Sequence, residues 1–120
     1  SPVEPWYKEM IRIRASQING CAYCLNSHTD DALKLGVDFR KINLLAAWRE
    51  APNVFNEEER LIIRMTEELT LIHQQGLSDA IYEKAIVLFG EEKTAQLMMV
   101  IITINAWNRI GVGLTLRPEL

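Results

Sequence analysis

Residues 56–72, NEEERLIIRMTEELTLI, decide the fold class of this chain. Asn56 followed three residues later by Glu59 forms a capping box, in which each side chain binds the other residue's backbone N–H, and it predicts the start of a helix. The two glutamates between them suit the positive end of the helix dipole. Apolar residues then recur at intervals of three and four, which is the helical period. These residues are Leu61, Ile62, Met65, Leu69 and Ile72. The segment therefore predicts an amphipathic helix that continues up to Gly76.

The same period continues on both sides of this segment, and glycine or proline residues interrupt it. Strand-like alternation does not persist anywhere in the sequence. The predicted helices run from about Pro5 to Asn19, Cys21 to Leu35, Asp38 up to Pro52, Asn56 up to Gly76, Ser78 to Phe89, and Glu91 to Ile110. We therefore predict an all-α fold, a compact domain of about six helices.

The composition of the chain limits its fold and its partners. With 120 residues, of which 48% are hydrophobic and 24% charged, the chain is long enough for one core and too apolar for a disordered protein. We predict a single domain over residues 1–120. The formal charge of −3 is spread without a long basic run, which argues against nucleic acid or an anionic membrane as a partner.

The longest uninterrupted apolar run, Leu97 to Ile102, lies in the middle of the sixth predicted helix. It is far shorter than the ~20 residues that span a bilayer, so we predict no transmembrane helix. The run is apolar on every side of a helix, which predicts burial all round. Either this is a central core helix or another subunit covers its second face, and we expect a homo-oligomer.

The two cysteines, Cys21 and Cys24, are too few for the disulfide framework of a small secreted domain. A bond across a two-residue gap is also a poor means of stabilising a fold. We therefore expect a chemical role for the pair and a cytoplasmic location. The chain begins Ser1-Pro2 without a methionine or an apolar signal core, from which we expect a trimmed or partial sequence.

Cys21, Cys24 and His28 fall on one face of the second predicted helix. Each residue of an α-helix advances ~100°, so Cys24 lies ~60° and His28 ~20° from Cys21. Helical side chains lean toward the N-terminus, which directs the imidazole at Cys24 rather than at Cys21. A free thiol with a pKa of ~8.5 is mostly protonated at neutral pH, whereas the thiolate is the reactive form. Because an imidazole can accept the proton and a helix N-terminus favours the anion, this face predicts a reactive dithiol that can form a disulfide.

Glu9 is the fourth member of the predicted site. If Gly20 reverses the chain into a helical hairpin, Glu9 lies ~16 Å back from the turn and His28 ~12 Å forward, from the rise per residue. The two side chains would then be close neighbours. A carboxylate beside the imidazole would fix its tautomer and strengthen it as a base.

The cysteine pair could also belong to other kinds of site. Zinc could bind Cys21 and Cys24 with His28 and His73 as further ligands, although a second cysteine pair or a paired histidine is missing. Haem attachment needs a histidine directly after the second cysteine, and Leu25 stands there. A thioredoxin fold would place the dithiol after a strand, and no strand is predicted. We expect His73 to be a surface residue.

Glu9, Cys21, Cys24 and His28, separated by eleven, two and three residues, resemble the core motif of the AhpD-like alkylhydroperoxidases within the carboxymuconolactone decarboxylase superfamily. Three further segments are similar to the short members of that family: Ile13-Arg14-Ala15-Ser16-Gln17-Ile18-Asn19-Gly20, His28-Thr29-Asp30-Asp31-Ala32 and Asn105-Ala106-Trp107-Asn108-Arg109. The resemblance therefore extends over most of the chain.

The resemblance implies an all-helical fold, assembly into trimers or hexamers, and hydroperoxide reduction through a cysteine disulfide without a cofactor. It implies that Glu9 and His28 relay protons to Cys24, with Cys21 as the disulfide partner. An external dithiol or a partner redox protein would reset the pair. The chain departs from the best-studied members at Tyr23, where they have a histidine, so a proton-transfer role does not carry over to that position.

Alternatives from other functional classes stay open. The decarboxylase branch of the superfamily lacks this dithiol, so the presence of both cysteines argues against that activity. The chain could instead be a thiol–disulfide exchange partner or redox sensor with little peroxide turnover, or a zinc-stabilised interaction module. For Trp48 and Trp107 we expect packing in the core or an interface, although either could line an apolar approach to the dithiol.

Overall fold

The computed structural model describes residues 3–120, and it is all-helical over that range. The elements are α1 (Pro5–Asn19), α2 (Ala22–Lys34), α3 (Phe39–Leu44), a 3₁₀ helix (Leu45–Glu50), α4 (Glu57–Thr70) and α5 (Asp79–Gly113). The predicted fold class is therefore confirmed. Ser1 and Pro2, on which the expectation of a trimmed sequence rests, lie outside the described residues. Across residues 3–120, no helix combines the length and the apolarity that a membrane crossing requires.

Helix α1 is the central element of the fold, because it packs against α2, α4 and α5. Its side chains at Met10, Ile11 and Ile13 are fully buried. They belong to a core that also contains Ile62, Ile63, Met65, Leu97 and Ile101. Burial of a large aliphatic side chain contributes about 1.5–3 kcal/mol, so this core is the main source of stability. This packing holds α1 and α2 in place, and with them the turn at which the cysteine pair lies.

The start of α4 is as predicted, but its end is not. Asn56 accepts a hydrogen bond from the backbone N–H of Glu59 at 2.8 Å, and Glu59 accepts one from the N–H of Asn56 at 2.8 Å, so both halves of the capping box are present. The helix ends at Thr70 rather than near Gly76. Turns follow, and they rotate Ile72 out of the register of the apolar face. Ile72 is therefore exposed, contrary to the prediction.

The third predicted helix is shorter than expected. Helix α3 has six residues and continues as the 3₁₀ helix, whose backbone leaves helical geometry at Ala47. Trp48 and Arg49, which follow, both reach the carboxylate of Glu67. Neighbouring residues of an α-helix point ~100° apart, so a regular helix would not direct both side chains at one group.

The fifth and sixth predicted helices are both present, and they meet at Gly90, where the backbone is non-helical (φ 83°, ψ 169°), so the predicted break is confirmed; the two share the label α5. This conformation is accessible mainly to glycine, which explains the predicted break. Within this single chain the run from Leu97 to Ile102 is buried on one side only, so it is not a central core helix, and cover of its second face by another subunit stays a prediction. Leu97 and Ile101 are buried, whereas Met99 and Ile102 are 57% and 50% exposed.

Candidate active site

The cysteine pair lies at the sharp turn between α1 and α2. Gly20 ends α1 in the left-handed conformation (φ 70°), and the N–H of Cys21 bonds the carbonyl of Ser16 at 3.0 Å. Cys21 is the N-cap of α2, and its sulfur accepts the backbone N–H of Cys24 at 3.3 Å. The chain therefore reverses directly into the first turn of α2. The predicted hairpin is present, and it puts both cysteines at the N-terminus of the second helix.

Cys21 and Cys24 form a disulfide, with their Cα atoms 5.4 Å apart. This separation lies well inside the range that a disulfide can bridge without movement of the backbone. Both residues are buried, with 2% of Cys21 and 6% of Cys24 exposed. The pair can therefore exist as a disulfide within the folded domain.

Glu9 and His28 meet across the α1–α2 hairpin, as the sequence predicted. Nδ1 of His28 lies 2.8 Å from Oε1 of Glu9. An ionised carboxylate can only accept a hydrogen bond, so Nδ1 carries the proton and Nε2 is left as the acceptor. Asp31 is a more distant neighbour, with its carboxylate 3.7 Å from the same nitrogen. Glu9 therefore holds the imidazole in the tautomer that can accept a proton at Nε2.

Arg12 is a further member of this group that the sequence analysis missed. Its Nη1 lies 2.5 Å from the second oxygen of Glu9, one helical turn along α1. Burial by itself raises the pKa of Glu9, but the hydrogen bonds from His28 and Arg12 outweigh it, so the pKa lies below its usual value of 4.5. Glu9 is therefore ionised at neutral pH although it is buried. The spacing Glu9–Arg12 is a common ion-pair spacing on helices, and that signal was available in the sequence.

A cavity of about 490 Å³ opens beside the dithiol. Its lining includes Cys24 and His28, but Cys21 is not part of it. The remaining lining residues are Arg12, Tyr23, Ser27, Thr103, Ile104, Trp107, Ile110, Gly111 and Leu116. A molecule in this cavity would therefore meet the sulfur of Cys24 rather than that of Cys21.

The two tryptophans behave differently. Trp48 is buried in the core, in agreement with the packing prediction. Trp107 is 58% exposed and lines the cavity beside Cys24, so it does not pack in the core of this chain. The side chain of Trp107 is kept at the surface because its neighbour Asn108 takes the inward-facing position on α5.

A larger cavity of about 710 Å³ lies between the 3₁₀ helix, α4 and the first part of α5. Glu9, Cys21, Cys24 and His28 do not line it.

A network of amide side chains connects α5 to the turn at Gly20 and Cys21, which we call the dithiol turn. Asn108 donates to the hydroxyl of Ser16 at 3.0 Å, and Asn19 donates to the side-chain oxygens of both Asn105 and Asn108 at 2.9 Å. Asn105 in turn donates to the hydroxyl of Thr70 at 3.0 Å. These groups are far apart in the sequence, so no local pattern identified them. They fix the end of α1, and with it the turn that carries Cys21.

The side chains that lie close enough to bind a metal are not the zinc ligands that the sequence suggested. Among residues 3–120, the group whose ligand atoms lie within 4.8 Å of one another is Glu9, His28 and Asp31. It contains neither cysteine, and His73 is exposed on the turns after α4, in line with the surface prediction. Arg12 already binds Glu9 and offers a positive charge next to this group, which disfavours a cation there. The structure therefore does not bring the zinc ligands together.

The fold and the site together define an all-helical protein with a disulfide at the start of its second helix and a carboxylate–imidazole pair beside it. The sequence profile of the carboxymuconolactone decarboxylase family matches residues 1–67. The uncharacterized protein YdfG from Bacillus subtilis (strain 168) is 37% identical over 107 residues, which cover 89% of this chain and 72% of YdfG. The chain belongs to the carboxymuconolactone decarboxylase family, as one of its AhpD-like members.

Two solved structures are similar to this fold. A protein of unknown function from Agrobacterium tumefaciens, described as a candidate antioxidant defence protein AhpD, has a TM-score of 0.94 and 34% identity, and the match covers 98% of this chain and 80% of that one. An uncharacterized peroxidase-related protein from Silicibacter sp. TM1040 has a TM-score of 0.87 and 23% identity, over 99% of this chain and 62% of that one. The first supports the assignment to the AhpD-like members of the family, and the second supports the fold alone.

Proposed function

We propose that the protein is a thiol-dependent hydroperoxide reductase, in which Cys21 and Cys24 cycle between a dithiol and a disulfide. The observation that carries the proposal is that Cys24 and His28 line the same cavity while Glu9 binds Nδ1 of His28 at 2.8 Å. A nucleophile, a base and a group that orients the base are the usual components of an activated thiol.

The reaction begins with the reduced pair. His28 accepts the thiol proton of Cys24 at Nε2, and the thiolate attacks one oxygen of the hydroperoxide. The O–O bond breaks, the alkoxide takes the proton back from His28 and leaves as an alcohol, and Cys24 becomes a sulfenic acid. Two electrons have then passed from the sulfur to the peroxide.

Cys21 completes the cycle as the resolving residue. Its thiol attacks the sulfur of Cys24 and displaces hydroxide, which leaves as water after it takes the Cys21 proton. The net change is one hydroperoxide and two thiols converted into an alcohol, water and the Cys21–Cys24 disulfide. The burial of Cys21 and its position outside the cavity support this order, because peroxide in the cavity meets Cys24 first.

An external dithiol or a partner redox protein must then reduce the disulfide. Both sulfurs are nearly buried, so the attacking thiol would approach through the cavity and exchange with Cys24. A reducing compartment such as the cytoplasm supplies such thiols. The apolar side chains at the cavity mouth, among them Tyr23, Trp107 and Ile110, favour an organic hydroperoxide over hydrogen peroxide.

We also propose that the protein is a homo-oligomer, a trimer or a hexamer as the family resemblance implies. Exposed uncharged residues outside the Cys24 cavity form a strip along α5, which we call the α5 strip: Ala95, Met99, Ile102 and Ala106. At ~100° per residue they occupy one side of the helix. Contiguous exposed apolar surface of this kind usually marks a protein contact, and a second copy is the occupant that supplies a matching uncharged surface.

Light scattering tests the oligomer with Ile102→Lys, which puts a charge in the α5 strip. We expect the parent to be an oligomer and Ile102→Lys to be a monomer. Val87→Lys is the matched control, because Val87 is also exposed on α5 but lies outside the strip. A parent that is monomeric, or dissociation by Val87→Lys alone, would contradict the assignment of the α5 strip.

The activity is tested by mixing fully reduced protein with limiting tert-butyl hydroperoxide and following free thiols and intact mass. We expect rapid loss of both thiols into an intramolecular disulfide, with no reaction in Cys24→Ser. In Cys21→Ser we expect a sulfenic acid that persists. Unreactive parent thiols that still exchange with a small disulfide would instead favour a thiol–disulfide exchange protein, and sulfenic acid in Cys24→Ser would mean that the cysteine roles are reversed.

A further inference from the structure

Helix α5 passes over the disulfide at Gly111, with no room for a side chain. A Cβ atom built on Gly111 would lie 2.6 Å from the sulfur of Cys21 and 3.4 Å from the sulfur of Cys24. The first distance is far below van der Waals contact. At Gly113, two residues further along the same helix, an added Cβ would meet nothing within 4 Å. The close approach is therefore specific to the glycine above the dithiol.

We propose that Gly111 is a positioning residue that sets the balance between the disulfide and dithiol forms of Cys21 and Cys24. The missing side chain at Gly111 leaves the space that the Cys21 sulfur occupies when it is bonded to Cys24. This inference rests on the dithiol being redox-active, as in the proposed function, but it does not depend on peroxide as the oxidant.

Hydrogen bonds on both sides of Gly111 hold its backbone in place. The helix therefore cannot easily move away from the cysteine pair if a side chain is added at position 111. Asn108, about one turn earlier, is buried and donates to the hydroxyl of Ser16 on α1. The carbonyl of Gly111 accepts the N–H of Leu116 at 2.9 Å, which closes the end of the helix. A methyl group added to a close-packed interior forces side chains off their rotamers and shifts the backbone, and the hydrogen bonds around Gly111 oppose the backbone shift.

The two redox forms differ in how easily they could accommodate such a methyl group. In the dithiol, the sulfur of Cys21 is the free end of a side chain and can rotate about its Cα–Cβ bond to another rotamer. In the disulfide, the same sulfur is tethered to Cys24, and the backbone of Cys21 is fixed as the N-cap of α2. A methyl group at position 111 therefore costs more in the disulfide form than in the dithiol form.

The test compares Gly111→Ala with Gly113→Ala. Each purified protein is equilibrated with mixtures of reduced and oxidised dithiothreitol, quenched with acid and alkylated, and the disulfide fraction is read by mass. Two electrons and two protons pass from one reagent molecule to one disulfide, so the midpoint gives the equilibrium constant directly. Overpacking of a core by a methyl group typically costs enough to shift such a constant by about tenfold or more.

We expect Gly111→Ala to shift the equilibrium about tenfold toward the dithiol, which corresponds to about 30 mV for a two-electron couple. Gly113→Ala should leave it within about twofold of the parent, although both changes add the same methyl group to the same helix end. Equal midpoints for Gly111→Ala and the parent, or equal shifts in the two variants, would overturn the proposal. Peroxide is absent from this measurement, so its outcome is separate from that of the peroxidase assay.

A second variant covers the case in which Gly111→Ala does not fold. The double variant Cys21→Ala, Gly111→Ala removes the sulfur that the new methyl group would strike. We expect it to fold with a denaturant midpoint close to that of Cys21→Ala alone. A double variant that stays unfolded would place the damage elsewhere in the core, and the proposal would then be wrong.

Discussion

Replacement of Glu9 by glutamine should slow the reaction of the dithiol with hydroperoxide without unfolding the protein. Glutamine has the shape of glutamate but no charge, so it can still bond to His28 while it no longer balances the imidazolium that forms when His28 accepts a proton. The Glu9–His28 distance of 2.8 Å is that of a direct hydrogen bond, so we attribute the decrease in reaction rate to the change in this one contact.

The magnitude follows from the difference between a charge-assisted hydrogen bond and a neutral one, which is about 1–2 kcal/mol. At about 1.4 kcal/mol for each factor of ten, the rate constant should fall about 5- to 30-fold. Arg12 also loses its partner, but its side chain is one-third exposed and remains solvated, so we expect a loss of stability of about 1 kcal/mol.

The measurement is the second-order rate constant for loss of thiols with tert-butyl hydroperoxide at pH 7, for the parent, Glu9→Gln and Asp31→Asn. Asp31 is the matched control, because its carboxylate is 3.7 Å from the same nitrogen of His28 and is half exposed. We expect Asp31→Asn to react within about twofold of the parent, as befits a weak surface interaction. A Glu9→Gln variant that reacts as fast as the parent would refute the relay.

Two further predictions concern stability. Burial raises the pKa of Glu67, but hydrogen bonds from Arg49, Trp48 and Arg14 outweigh this effect, so the pKa lies below 4.5. The ionised carboxylate therefore stabilises the folded state above pH 4.5. This contribution is lost as the pH falls through the pKa of the folded state. Glu67→Gln should therefore lower the free energy of unfolding by about 2 kcal/mol at pH 7, with a difference that narrows in urea titrations as the pH falls below 4.5. Asn108→Ala removes two hydrogen bonds of a buried side chain and leaves a cavity, so it should cost about 2–3 kcal/mol in the same titrations at pH 7.

Each of these predictions has a control in the same chain. Glu83 is exposed on the first part of α5, so Glu83→Gln makes the same chemical change at the surface and should leave the free energy of unfolding at pH 7 nearly unchanged. A pH-independent difference for Glu67→Gln would mean that lost packing, and not the carboxylate charge, explains the effect. For Asn108, a loss below about 0.5 kcal/mol would show that the amide network does not secure the dithiol turn.

The parts of the site that the sequence predicted are those that depend on short-range geometry. Cys24 and His28 line the same cavity because they are four residues apart on one helix, and this spacing is independent of the rest of the fold, whereas Cys21 precedes that helix as its N-cap. The Glu9–His28 pair needed one more assumption, a hairpin at Gly20, and the left-handed conformation there made it correct. The capping box that starts α4 was equally local.

The errors arose where a distant partner overrode the local period. The third helix gives way to the 3₁₀ helix where Trp48 and Arg49 both bind Glu67, which is 18 or 19 residues away. Helix α4 ends before Ile72 although the apolar spacing continues. Periodicity describes which residues share a face, but it does not describe the hydrogen bonds that make an earlier end more favourable.

The sequence by itself determined the helical class, the helix starts, the common position of Cys24 and His28 on α2 and the carboxylate beside His28, because helical rise and rotation convert spacing into position. Only the tertiary structure decided that Arg12 completes the group, that Trp107 stands at the mouth of the Cys24 cavity and that Asn108 ties α5 to the dithiol turn. It also decided that Gly111 lies against the sulfur of Cys21, 90 positions away in the sequence. Contacts over such separations depend on how whole helices pack, and no local pattern of residues encodes that distance.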